Sequence, residues 1–487
     1  MLLCSSSSIA INQKADGYFQ GDAYPLGEWR PREGVKRGSV MDTVYPGDPL
    51  TPGVGATTNA VRLALKDVRT ITKIPVLPIS SADALPLMSA LKGPVAPEAW
   101  RGALPMTYHV GPGPAEVHLH VTSHWDRKPI YDVIATLPGS QDAEQWVIRG
   151  NHHDAWVNGA EDPLSGQAAM QEEARVLGLL HHQGWRPKRT ILYCAWDGEE
   201  PGLLGSVEWV ETHLAELQQH AVAYLNSDSN ERGFLNAGGT QDLQSFVSGV
   251  AREIPDPETQ LTVYQRARLR SIASAKNAEE REALRKRSDL VLDTLGDGSD
   301  FTAFQDLAGI PTLSLEFGGE GEYAERNLQL SEGVFKALLD PRRPLAPPPA
   351  ETVPPFMKFA PLKNALVMFR KSAARYTQAL QSLQANGSPP LPGPSLQALN
   401  ARLLQVSRMF LNQQGLPGRP WYKNQIYAPG AYTGHDAKPI AAVREYMDEK
   451  QWQQADAQVP QVARIIEVAA AGISKAAEEL ENAQQQH

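Results

Sequence analysis

Cysteine is almost absent from this chain: Cys4 and Cys194 are the only two in 487 residues. That excludes a disulfide-stapled scaffold and a thiolate zinc site. A basic balance is missing too. Lys and Arg number 46 against 55 Asp and Glu, a formal net charge of -9, which argues against a nucleic-acid partner, whose phosphates need a cationic face. No apolar run reaches the roughly 18 residues that a membrane-spanning helix requires. The opening stretch MLLCSSSSIAINQKADGYF lacks the basic and long apolar segments of a secretory signal. No internal repeat is evident. What is left is an ordinary globular composition, 42% hydrophobic and 21% charged, in a chain long enough for several domains.

Three regions follow one another. The first, to about residue 126, is rich in Gly, Pro and short apolar runs such as IPVLPI (74–79) and VHLHV (117–121), and reads as mostly β with loops. The second alternates strands and helices. Apolar strands are expected at 131–137, 146–152, 189–196, 221–228 and 311–317, with a clear helix over 166–182. Such alternation predicts a largely parallel, doubly wound α/β sheet. The charged stretch RARLRSIASAKNAEEREALRKRSDL intersperses Arg with Glu and reads as a solvated helical insertion. A Pro-rich linker (342–355) leads to a third region with apolar residues at helical spacing, a bundle-like helical domain.

The run ILYCAWDGEEPGLLGS ends an apolar strand on Asp197, Glu199 and Glu200. Buried elements seldom end on carboxylates unless something there needs negative charge. The strand at 146–152 ends on His152, with Asp154 and Asp162 shortly after, and the strand at 221–228 ends on Asp228. Taken singly, each has a plainer reading: a solvated helix start for the glutamate doublet, a surface pair for His-x-Asp, a helix cap for Asp228. Jointly, at the strand ends where open α/β sheets bind ligands, they point to a metal site. Clustered carboxylates repel and raise each other's pKa unless a divalent cation neutralises them. Imidazole with carboxylate oxygens suits zinc, and two ions about 3.5–4 Å apart would absorb still more charge.

The segments GNHHDAWVNGAEDPLSG, GWRPKRTILYCAWDGEEPGLLGSVEWVE, AVAYLNSDSN and LPGRPWYKNQIYAPG closely resemble the glutamate carboxypeptidase and transferrin receptor branch of the di-zinc aminopeptidase-like (M28) peptidases. The resemblance implies a partial protease-associated (apical) domain over 1–126, a peptidase α/β domain over 127–341, the linker, and a helical dimerisation domain over 356–487. It implies His152 and Asp228 on one zinc, Glu200 on the other, Asp162 bridging, and Glu199 as general base. Asp154 would orient His152. Thr51, Val54, Glu208 and Glu211 match a structural calcium site, and Tyr432 matches a substrate-pocket tyrosine completed by a partner subunit. The implied activity is exopeptidase hydrolysis of peptides through a metal-bridging water, in a homodimer.

The chain departs from that family in three places. The family's fifth metal ligand, a histidine after the last core strand, has no counterpart, since no histidine occurs between His220 and His435. Tyr323 stands near the break, Glu320, Glu322 or Glu325 offer substitute oxygens, and His435 reads as a surface residue. The chain also begins inside the protease-associated domain, so a truncated start is expected, with an extracytoplasmic location implied for the parent protein. Finally, the positions of the family's acidic-substrate arginine patch read Ser314, Glu316 and Gly238, and its asparagine position reads Ser39. Amino- or carboxypeptidase action stays open, as does a second reading: a catalytically impaired, receptor-like dimeric binding protein.

Overall fold

The computed structural model describes residues 32–35, 44–319 and 355–485, apart from positions 98–99, 102–103, 105, 123, 125, 276, 386–390, 392 and 432. Ser39, Tyr432, Tyr323, the three candidate glutamates around it and nearly all of the Pro-rich linker therefore lie outside the described residues. The chain divides into two compact units: residues 1–41, 71–128 and 319–349, and residues 42–70, 129–318 and 350–487.

In the first unit, helix α1 (Ser81–Ser89) is capped by Ser80, whose Oγ accepts the Asp83 N–H at 3.1 Å. A small core forms around Ala96, Leu104 and Tyr108. The β-rich character expected for residues up to 126 is not what the structure gives. Among the described residues this stretch holds no strand, only isolated bridge residues, Val95 paired with His109 and another at Ile71. The runs 74–79 and 117–121 are extended, exposed and unpaired. Pro75 and Pro78 offer no N–H to a ladder, and an apolar run becomes a strand only when another strand accepts its backbone groups.

The second unit is built on a six-stranded sheet of order β1-β3-β2-β4-β6-β5: β1 (Val133–Leu137), β2 (Asp142–His152), β3 (Arg189–Trp196), β4 (Ala221–Asn226), β5 (Gly233–Gly239) and β6 (Thr312–Gly319). The pairs β2·β3, β2·β4 and β4·β6 are parallel, while β1 lies antiparallel on the edge against β3. The central strands read as near-continuous apolar runs because both of their faces are covered. Ile148, Leu192, Cys194, Trp196 and Tyr224 anchor one core. Edge strand β1 keeps Val133 and Ile134 exposed. Helices α2 (Leu164–His182), α3 (Leu204–Thr212), α4 (Leu214–His220) and α5 (Gln244–Glu253) connect the strands.

The charged insertion is two helices, α6 (Val263–Ala273) and α7 (Ala278–Lys286), started by a Thr262/Gln265 capping box and by Asn277. One of its arginines is not solvated: Arg266 is buried against Asp256, with Nη1 2.8 Å from Oδ2. The helical region comprises α8 (Ala360–Ala385), α9 (Gly393–Val406), α10 (Ala441–Asp448) and α11 (Trp452–Gln485), with α8 packed along α11. The segment between α9 and α10 buries Leu416, Trp421, Tyr422 and Ala428 in the core of the sheet. Helices α8, α10 and α11 form a further core of their own around Leu362, Val443, Val459 and Ile466.

Candidate metal centre and active site

Parallel pairing makes β2, β3 and β4 finish on the same sheet edge, and they are neighbours there. The register sets His152 beside Trp196, and Gly150 beside both Cys194 and Asn226. The loops leaving these three strands therefore open into one hollow. His152 ends β2 and is 1% exposed. Its Nδ1 lies 3.0 Å from the Asp154 carbonyl oxygen. A carbonyl can only accept, so Nδ1 carries a proton and Nε2 faces the hollow. Nε2 lies 3.2 Å from Asp162 Oδ1 and 3.2 Å from Asp228 Oδ1.

Asp228 follows β4 in a left-handed backbone conformation, φ +34°. Its carbonyl oxygen presses on α2 at Gly166, where a Cβ would stand 2.0 Å from it. Glycine is required at that contact. The loop after β3 is held by Asp154, whose Oδ1 and Oδ2 accept the backbone N–H groups of Glu199 (3.0 Å) and Glu200 (3.3 Å). Asp154 thus ties the imidazole to the loop carrying the glutamate doublet, a wider role than orienting His152 alone.

The two glutamates diverge, as expected of neighbours in an irregular loop. Ligand atoms of Glu199, His152 and Asp228 lie within 4.8 Å of one another. Glu200 Oε1 accepts the Trp156 N–H at 2.7 Å. Asp162 stands at the rim with its side chain about half exposed.

The hollow holds more negative charge than it can neutralise. Burial, then the charge of Asp300, pushes the Glu199 carboxyl far above its ordinary range. Burial lifts Asp300 to about 7 against the pull of His152. For His152, burial opposes protonation, but hydrogen bonds to Asp154, Asp162 and Asp228 outweigh it and raise the pKa strongly. For Asp228, the same burial is overcome by hydrogen bonds from His152 and Ser299, and its pKa falls. A divalent cation replacing the Nε2 proton would meet the same oxygens and relieve the same repulsion. The donor set of imidazole and carboxylates fits zinc.

Sequence reasoning missed Asp300 and Ser299. The glycine-punctuated acidic run GDGSD (296–300) is the signal that could have marked them, since a buried Asp in such a loop needs a partner.

The calcium-type residues also come together. Glu208 Oε1 accepts the Asp48 N–H and Oε2 the Ala56 N–H, each at 2.6 Å, and Thr51 Oγ1 donates to Oε2 at 3.3 Å. Glu211 Oε1 accepts the Gly53 N–H at 2.8 Å and Trp421 Nε1–H at 2.7 Å, and a Val54 N–H also reaches this carboxylate. Glu211 Oε2 is buried with no hydrogen-bond partner.

The positions matching the family's arginine patch carry no cation in this sequence. Ser314 is buried, and its hydroxyl donates to Glu316 Oε1 at 3.3 Å. A Cβ at Gly238 would stand 2.5 Å from Leu295 Cδ2. His435 is exposed, with Nδ1 3.2 Å from Asp297 Oδ1, and is not among the metal-capable group.

The mostly parallel sheet brings an imidazole and several carboxylates together at neighbouring strand ends, an arrangement able to hold a metal ion. Residues 132–328 match the model of peptidase family M28, and residues 357–474 that of the transferrin receptor-like dimerisation domain. The chain thus carries a peptidase family M28 domain followed by a transferrin receptor-like dimerisation domain. Probable glutamate carboxypeptidase VP8 of Zea mays is 33% identical over 453 residues, covering 81% of this chain and 59% of its own length. Aminopeptidase NAALADL1 of Rattus norvegicus is 30% identical over 480 residues, covering 84% and 61%. A zinc aminopeptidase from Bacillus subtilis aligns at 21% identity over 42% of this chain and 49% of its own, with a TM-score of 0.27. The chain spans about three fifths of the length of these curated relatives.

Proposed function

We propose that the chain is a zinc-dependent exopeptidase acting on peptides. The observation carrying this reading is the convergence of His152, Glu199 and Asp228 ligand atoms within 4.8 Å in a family M28 domain. His152 and Asp228 would hold one zinc, Asp162 would bridge, and Glu200 would reach a second. A bound zinc supplies Lewis acidity to a water and to the scissile carbonyl. The chain's own residues do the rest. Glu199 is half-buried, burial and the carboxylates around it raise its pKa, and it would take a proton from the attacking water and return it to the leaving amine. Asp154 fixes where Glu199 sits by accepting its backbone N–H.

The rim indicates the charge of the substrate. Glu316 is half-buried, and burial followed by the charges of Asp228, Glu161 and Asp162 raises its pKa. Glu161 is raised by burial and by Glu231. Such a rim suits a cationic substrate end, such as a free α-ammonium, better than an acidic side chain. Glu208 and Glu211 with Thr51 and Val54 would hold calcium, the unpartnered Glu211 Oε2 being the open ligand position. The helical region supplies the surface of a homodimer, and Tyr432 would join the partner's pocket. The domain limits expected from the sequence stand as part of the same proposal.

Comparing the purified protein with Glu199→Gln on aminoacyl and peptide substrates tests this. Loss of a general base lowers kcat by about 10²–10⁴-fold; equal rates would exclude the route. The second reading, a receptor-like dimer with impaired catalysis, draws on the absence of a histidine from 221 to 434. It is favoured if hydrolysis is absent from both proteins.

A further inference from the structure

Behind Asp228 runs a chain of buried hydrogen bonds that the strand-end ligands do not account for. Trp196 Nε1 donates to the Tyr224 hydroxyl at 3.0 Å, and that hydroxyl donates to Asn226 Oδ1 at 3.0 Å. Asn226 Nδ2 donates to Ser299 Oγ at 3.0 Å, and Ser299 Oγ donates in turn to Asp228 Oδ2. None of Trp196, Tyr224, Asn226 and Ser299 is more than 3% exposed.

The direction of the chain is forced by chemistry. An indole nitrogen can only donate, so Tyr224 accepts from Trp196 and its own proton goes to the Asn226 carbonyl. That sets the Asn226 amide, turning its NH₂ to Ser299. Having accepted there, the Ser299 hydroxyl has its proton free for Asp228 Oδ2. The other carboxylate oxygen, Oδ1, is the one 3.2 Å from His152 Nε2. Hydrogen bonds aligned in one sense polarise one another in a low-dielectric interior.

The chain also has a space requirement. A Cβ at Gly150 would stand 2.2 Å from the Tyr224 hydroxyl and 2.7 Å from Trp196 Nε1. Only glycine at that point of β2 lets the two side chains meet.

We propose that Ser299, held by Asn226 and Tyr224, is a positioning residue that claims one oxygen of Asp228 and presents the other, with His152, to the metal. The proposal rests on reading His152 and Asp228 as metal ligands. Polar groups in a core are routinely paired merely to satisfy them, so the test must measure the metal and not stability alone.

Zinc affinity of the full chain is measured by competition with a chromophoric chelator, and the cobalt(II) protein is examined by visible absorption. Removing a group that orients a ligand costs metal affinity about 10–100-fold; Ser299→Ala should do so and shift the cobalt bands. Ser299→Thr, which keeps the hydroxyl, should stay within about threefold of the parent, and Tyr224→Phe, two bonds further back, should lose less than Ser299→Ala. Ser299→Gly, which also removes the hydroxyl and offers no zinc ligand, covers the case in which the alanine variant fails to fold, and should also lose affinity. The proposal is overturned if the folded alanine or glycine variant binds zinc within about twofold of the parent, or if threonine loses as much as alanine. A parent protein that binds no zinc overturns the functional reading itself, and this one with it.

Discussion

The raised carboxyls of Glu208 and Glu211 should make stability depend on pH in a direction opposite to that of ordinary surface carboxylates, and on calcium if it binds there as proposed. Burial, then the charge of Glu211, pushes Glu208 from 4.5 to about 8. Burial pushes Glu211 from 4.5 to about 7. In each case the folded state keeps a proton that the unfolded chain releases near pH 4.5. The folded state therefore binds more protons between those values, and stability falls as pH rises through that window. It is greatest, as far as this pair decides, below about 4.5 and levels off above about 8. One pKa unit corresponds to about 1.4 kcal/mol. With partial solvent screening of both groups, the pair costs on the order of 2–4 kcal/mol at the alkaline end. Calcium bound there, as proposed, would replace the protons and remove the cost.

The assay is urea unfolding from pH 5 to 9, with calcium and with a calcium chelator. Without calcium the unfolding free energy should decline toward pH 8; with millimolar calcium it should stay level. Glu208→Gln should make the chelator curve shallower, since an amide does not titrate while Glu211 still does. A chelator curve that rises from pH 5 to 8, or a Glu208→Gln curve matching the parent, refutes the reasoning.

Two further outcomes follow from named contacts. Arg266→Ala leaves Asp256, 4% exposed, with no guanidinium and should cost about 3–5 kcal/mol in urea unfolding; a loss below about 1 kcal/mol would show that water replaces the arginine. Glu316→Gln should raise KM for substrates with a cationic end about 2–5-fold at low salt, leaving neutral substrates and kcat nearly unchanged; equal shifts for both substrate types would remove the rim from specificity.

The sheet was legible because β2, β3 and β4 are buried on both faces and so read as continuous apolar runs. The helices were legible because α2, α8 and α11 keep one apolar face. His152 and Asp228 could be placed because a charged group ending such a run must sit at the strand's C-terminal edge. Among the described residues up to 126 the apolar runs taken for strands are unpaired, and a strand exists only when another pairs with it. The Ser299–Asp228 bond was invisible since it joins residues 71 apart in sequence, and a serine in a glycine-rich loop carries no charge to advertise its place. Nor could the sequence say which glutamate of the doublet turns inward; that depends on the backbone bonds Asp154 makes to both.

Zinc stoichiometry by elemental analysis, in the parent protein and in a folded Asp228→Ala variant, tests most directly the claim that the carboxylates at these strand ends are gathered by a divalent ion. At least one tightly held zinc per parent chain, lost in the variant, is the expected result. A parent that retains no zinc after dialysis against a zinc-containing buffer, or a variant that retains all of it, would contradict the account.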